Sequence, residues 1–317
     1  MEKNFSETIL SQYLAFCHDQ KRLDAKTIKA YRIDLTQFYR QMNTNDPRQI
    51  TSDMLESYIA LLHQSFKPKT VKRKIASMKA FFHYLEYRDI IDINPFHKIQ
   101  IHFREPVILP KTISLPTLER FLSEIYHTYD AVNPPCQKRY ILRDIAVCEL
   151  LFATGIRISE LCALRPVDVD LTDQSILIYG KGDKERRLQI GTPAVLNILI
   201  HYADEFRAEI YQCDHFFVNQ CGRPLSDQSV RRMINKYTSR ATINQHLTPH
   251  MFRHTFATCL LEADVDIRYI QEMLGHSSIN VTQIYTHVAL AKQRDILITK
   301  HPRKNFHLDE PKMLPLN

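Results

Sequence analysis

Leu247-Thr248-Pro249-His250-Met251-Phe252-Arg253-His254 sets an imidazole and a guanidinium at i and i+3, on one face of a helix and at that helix's start. Thr248 suits the N-cap and Pro249 the first helical position. His250 then lies among the free N–H groups at the positive end, with Arg253 one turn further in. Backbone donors, helix dipole and both side chains converge, which suits a phosphate oxygen. Downstream come Leu274-Gly275-His276 and Tyr285-Thr286-His287; upstream, Gly155-Ile156-Arg157 and Gly180-Lys181-Gly182. Together these supply phosphate neutralisers, proton-transfer groups and one hydroxyl nucleophile, with no carboxylate metal ligands.

The elements that must position these groups are mostly helical. Residues 1–100 carry four apolar stripes at helical spacing and no Gly, so they read as a four-helix domain. The fourth stripe (Val71, Ile75, Met78, Phe81, Phe82, Leu85) is interleaved with Lys67, Lys69, Lys72, Arg73, Lys74 and Lys79, with no acidic residue from 67 to 85. Six unbalanced cations on one helix favour phosphate contact over a merely solvated face. Pro95, Pro106 and Pro110 mark residues 101–113 as a linker.

Residues 114–303 read as a second domain, mostly helical with a small antiparallel sheet. Ser114 caps a helix reaching Ile125, and Tyr126–Gln137 reads as a loop. Helices are expected at Arg139–Phe152, Ser159–Leu164, Pro193–Ala208, Ser226–Arg240, Pro249–Glu262, Asp266–Leu274 and about Leu290–Lys300. Ser175–Tyr179 and Glu185–Ile190 pair as strands about a turn at Gly180–Lys184. Residues 304–317 read as a flexible tail.

Composition limits the partners. At 317 residues, 44% hydrophobic and 24% charged, the chain is ordinary for a globular protein of two domains. The longest apolar runs fall short of a membrane span, and Met1-Glu2-Lys3-Asn4-Phe5 holds no signal core, so a cytoplasmic protein is expected. Seven scattered Cys without a C-x-x-C read as reduced thiols, and no metal or other cofactor is expected. A net charge of +7 is mildly favourable to a polyanion.

The ordered set Ala153-Thr154-Gly155-Ile156-Arg157-Ile158-Ser159-Glu160-Leu161, Gly180-Lys181-Gly182-Asp183-Lys184-Glu185-Arg186, His250-x-x-Arg253, Leu274-Gly275-His276 and Tyr285-Thr286-His287 resembles the tyrosine site-specific recombinases, above all the Xer type and integrases of mobile elements. The resemblance spans about Phe5 to Arg303. It implies a SAM-like core-binding domain ahead of the catalytic domain. It also implies strand cleavage by Tyr285, giving a 3′-phosphotyrosyl ester without metal or ATP. Arg157 and Arg253 would clamp the scissile phosphate, since a guanidinium matches phosphate bidentately. Glu160, at i+3 from Arg157, would orient it. Lys181 would protonate the leaving 5′-oxygen, with Lys184 as its rival. His250 would accept the tyrosine proton or bond the phosphate, and His276 would donate to a phosphate oxygen. His254 and His287 read as packing or supporting groups. Where relatives often carry Gly ahead of the Leu-Gly-His helix, this chain has Asp264, which tolerates a left-handed turn.

The implied partners are a double-stranded recombination site, a tetramer of this chain or of a paralogous recombinase, and possible accessory proteins. The implied role is chromosome dimer resolution or mobile-element integration and excision. A type IB topoisomerase would share the chemistry. A non-catalytic DNA-binding regulator would be expected to lose Tyr285, Arg157 or Arg253, and all are present. A helical interaction protein would leave the clustered cations unexplained.

Overall fold

The computed structural model describes residues 5–42, 44, 46–101, 111–133, 135–180 and 185–275. It divides into two compact units, Met1–Pro106 and Val107–Asn317. Each has its own hydrophobic core.

The first unit is built from α1 (Phe5–Asp19), α2 (Ala25–Met42), α3 (Ser52–Ser65) and α4 (Pro68–Tyr87). Thr51 caps α3 through its side chain, and Pro68 occupies the first turn of α4, where its missing N–H does no harm. Tyr13, Leu35, Phe38, Leu55, Phe81 and Phe82 are fully enclosed at the centre. Removing one of the Phe rings would cost about 3–5 kcal/mol.

One basic residue of α4 departs from the expected exposed face. Lys74 is buried, its ammonium 3.1 Å from Asp34 Oδ1 and also bonded to Gln37 Oε1 on α2. The Asp34 carboxylate also accepts from Arg73 and from Ser77 Oγ at 3.0 Å. Lys74 is therefore a core residue. A buried carboxylate demands compensating donors, and α4 supplies three of them from consecutive turns. Lys67, Lys69, Lys72, Arg73 and Lys79 do stand on the exposed side of the helix.

The second unit comprises α5 (Leu115–Ala131), α6 (Pro135–Thr154), α7 (Ile158–Ala163), β1 (Val169–Asp170), β2 (Ser175–Tyr179), β3 (Glu185–Gln189), α8 (Pro193–Glu205), α9 (Arg207–Cys213), α10 (Asp227–Arg240), α11 (Pro249–Glu262) and α12 (Ile267–Leu274). The sheet is antiparallel in the order β1-β2-β3, with Ile176 opposite Leu188 and Ile178 opposite Arg186. Ser114 and Ser226 cap α5 and α10 as their types suggest.

Two expectations fail locally, and one short strand was not expected at all. The helix from Ser114 runs on to Ala131 and takes the first half of the expected loop at Tyr126–Gln137, while α6 takes its last three residues; Tyr126 and Tyr129 pack against the core and carry α5 forward. The helix from Pro193 breaks at Phe206, whose ψ of 17° leaves the helical range while its ring stays buried against Tyr202 and under Arg139. The two-residue strand β1 was too short to carry a periodic signal. The expected helix at Leu290–Lys300 and the tail 304–317 lie outside the described residues, as do residues 102–110 of the linker. Among the described residues no helix is long and apolar enough to cross a membrane.

Candidate active site

The site is organised around the C-terminal end of α12. A helix end leaves its last carbonyls without partners and carries partial negative charge. Here three guanidiniums from three other elements take three successive carbonyls. Arg186 Nε on β3 donates to Met273 O at 2.9 Å, and Arg253 Nη2 on α11 donates to Leu274 O at 2.6 Å. Arg157 Nη2, at the start of α7, donates to Gly275 O at 3.2 Å. The residue that follows in sequence is His276.

Glycine makes this approach possible twice. Gly275 ends α12 with φ 64°, the left-handed cap conformation that favours Gly, and a Cβ there would stand 2.9 Å from Arg186 Nη1. Gly155 has φ 60°, and a Cβ would meet Phe256 Cδ1 at 2.5 Å. Its carbonyl accepts from Arg253 Nη1 at 2.8 Å, so this tight turn holds the buried arginine from its other side. Asp264 takes φ 69°, so the left-handed turn survives without Gly.

Glu160 lies at the centre of the charge network. Its Oε2 accepts the Arg157 backbone N–H at 3.0 Å, and its Oε1 accepts Arg157 Nη1 at 2.7 Å. The i+3 spacing of the two residues is thus realised as a side-chain pair and as a helix-start bond. Arg186 completes the set with a fork, Nη1 to Oε1 at 3.1 Å and Nη2 to Oε2 at 2.6 Å. Burial pushes the Glu160 pKa up, but the bonds from Arg186 and Arg157 outweigh it and hold the carboxyl below the usual range.

His250 is exposed on the first turn of α11, and Arg253 is buried on the next turn. Thr248 has the extended backbone of an N-cap, but its hydroxyl makes no cap bond. His254 is half-buried; burial, then the charges of His250 and Arg253, lower its pKa and favour the neutral imidazole. The fold thus brings Arg157, Glu160 and Arg253 to one place, with His250 a turn away on the same helix. Lys181, His276 and Tyr285 lie outside the described residues.

Arg186 is the site residue that spacing alone does not single out. Its one sequence signal is strand alternation, which puts it on the same face of β3 as the buried Leu188. A cation on an inward strand position needs a buried partner.

Residues 122–292 match the phage integrase family, and residues 10–89 match the N-terminal SAM-like domain of phage integrases. A tyrosine recombinase of Agathobacter rectalis is 67% identical over 304 residues, covering 96% of this chain and 99% of its own. Tyrosine recombinase XerD of Listeria innocua is 36% identical over 304 residues, covering 93% and 99%. The crystal structure of XerH site-specific recombinase in a post-cleavage complex with a palindromic difH substrate shares the fold, with a TM-score of 0.72 at 24% identity over 92% of this chain and 84% of that one. Identity of this depth, sustained along nearly the whole sequence, makes the chain a member of the tyrosine recombinases of the phage integrase family.

Proposed function

We propose that this chain is a site-specific recombinase in which Arg157 and Arg253 hold the scissile phosphate and Tyr285 attacks it. The phenol oxygen forms a bond to phosphorus and the bond to the 5′-oxygen breaks. His250 takes the phenol proton, Lys181 gives one to the leaving oxygen, and His276 donates to a nonbridging oxygen. The 3′-phosphotyrosyl ester conserves the bond energy, so a partner strand's 5′-hydroxyl can reverse the step without a nucleotide.

What carries this reading is the convergence of Arg157 and Arg253 on the adjacent carbonyls of Gly275 and Leu274. A guanidinium presents its N–H donors in a planar fork that matches a phosphate, so two of them brought to adjacent carbonyls suit an anion at that point. Family membership favours recombination over the topoisomerase and regulator readings. The exposed cations of α4 (Lys67, Lys69, Lys72, Arg73, Lys79) are assigned to the DNA backbone, in a duplex held by residues 1–100 and 114–303 joined through the linker. The working form is a tetramer on two duplex sites, of this chain or with a paralogue, in the cytoplasm on the nucleoid.

The test is a nicked suicide duplex chosen from a randomised pool by binding to the protein. The wild-type chain is expected to form an adduct that survives SDS and is lost to protease. Tyr285→Phe should bind equally and form none. Adduct from the Phe variant removes Tyr285 as nucleophile. Absence of adduct from both, on every selected duplex, favours a binding regulator.

A further inference from the structure

Arg186 has no solvent-facing role. Its side chain is 9% exposed, and its Nε, Nη1 and Nη2 each donate to a named acceptor inside the protein. Those acceptors belong to two different parts of the site. Two bonds go to Glu160, the carboxylate that holds Arg157; the third goes to Met273, in the last turn of α12. Arg186 itself sits on β3, the strand that begins four residues after Lys181 in sequence. One planar group therefore ties three elements together, and its three bonds fix it in position and orientation.

The fork on Glu160 matters because that carboxylate has shared duties. Oε1 serves Arg157 Nη1 and Arg186 Nη1, and Oε2 serves the Arg157 N–H and Arg186 Nη2. Without Arg186, Glu160 keeps one cationic partner among the described residues, Arg157, and loses the fork that fixes its plane. The Arg157 guanidinium would turn with it, away from the Gly275 carbonyl. Gly275 is shaped to Arg186: a Cβ there would stand 2.9 Å from Arg186 Nη1.

We propose that Arg186 is a positioning residue for strand cleavage, setting Arg157 through Glu160 and the end of α12 through the Met273 carbonyl. This rests on the recombinase reading above. A bidentate fork plus a third bond is guanidinium geometry, so a lysine cannot replace it. Misplacing a phosphate clamp by about 1 Å costs on the order of 100-fold in rate.

The experiment measures single-turnover adduct formation at saturating protein on the selected suicide duplex. It compares the wild-type chain with Arg186→Lys, Arg186→Met, Glu160→Gln, the Arg186→Met/Glu160→Gln double variant and Arg187→Met. Arg187 adjoins Arg186 on β3 but bonds Ser175 instead, so its variant controls for damage to the strand. Duplex affinity and thermal unfolding are followed in parallel. Both Arg186 variants should lose about 100-fold in rate with duplex affinity unchanged, and the double variant should lose little more than the worse single one, because both act through one link. A duplex with sulfur in place of the leaving 5′-oxygen, which departs without a proton, should restore Lys181→Ala and leave the Arg186 variants slow. Wild-type rates in folded Arg186→Met overturn the proposal. So does full activity in Arg186→Lys, an equal loss in Arg187→Met, a loss confined to affinity, or rescue by the sulfur duplex. Absence of wild-type adduct overturns the recombinase reading itself, and the positioning role with it.

Discussion

Each unit of the chain buries a carboxylate between two cations, and the two arrangements differ in where their bonds lead. Asp34 gathers Arg73, Lys74 and Ser77, all from α4, and its side chain is wholly enclosed. The hydrogen bonds of that cluster join α2 to α4, and the Lys74 ammonium also lies 4.9 Å from the centre of the Phe66 ring, just past α3. Glu160 gathers Arg157 and Arg186 from different elements, and both cations go on to backbone carbonyls at the end of α12. Each cluster keeps one arginine partly open, Arg73 at 46% and Arg157 at 33% of its side chain, so the difference lies in where the bonds lead and not in exposure. Similar chemistry whose hydrogen bonds stay within one helix pair fastens that pair; carried on to the carbonyls of a further helix, it fixes the orientation of two arginines.

The sharpest way to break the comparison is to remove each carboxylate. Asp34→Ala leaves the Lys74 ammonium buried without its charge partner, and chemical denaturation should show a loss of about 3–5 kcal/mol. Replacing both groups, as Asp34→Leu with Lys74→Met, should recover most of that loss, because the apolar pair needs no desolvation. At a temperature where these variants are folded, their rate of adduct formation should match the wild type.

Glu160→Gln should do the reverse, slowing adduct formation by about 100-fold while stability falls less. Its pH signature has a definite sign. The folded pKa is depressed, so the stabilisation is complete above about pH 4.3, the ordinary value for Glu, and is lost as pH falls through the folded value. Thermal melts of Glu160→Gln should therefore lack part of the acid limb seen in the wild type.

Smaller effects test the surroundings. Gly155→Ala combines a left-handed φ with a steric clash on Phe256 and should cost about 2 kcal/mol by denaturant titration. Glu149, on α6, provides the smallest effect and the opposite sign to Glu160. Burial raises its pKa, and the Tyr126 hydroxyl that donates to it at 2.8 Å offsets only part of this. A raised carboxyl stabilises below its unfolded pKa and loses that contribution as pH rises through the folded one. Glu149→Gln should thus raise Tm slightly near neutral pH and leave it unchanged in acid.

The sequence carried much of this because local rules decided it. Ser114 and Ser226 cap helices by chemistry contained within one turn, and Ser175–Tyr179 has the β-branched and aromatic content of a strand. Glu160 was legible as the orienting partner of Arg157 because both lie on one turn of chain. Lys74 was misread because its partner is 40 residues away, and nothing in a helical stripe says which cation turns inward. Arg186 escaped notice for the same reason, with acceptors 26 and 87 positions distant. The helix through Tyr126 extended because tertiary contacts of two tyrosine rings overrode a polar composition.

The arginine bonds onto α12 reach across 118, 87 and 21 positions of the chain. During synthesis from the N-terminus, Arg157 and Arg186 emerge well before the carbonyls that fix them. A nascent or truncated polypeptide stopping short of Met273 holds the cations but has no anchor for their orientation. It can attract nucleic acid through charge alone, yet it has no assembled clamp with which to nick it. A DNA strand-cleaving enzyme thereby lacks its oriented arginines until its catalytic domain is almost complete.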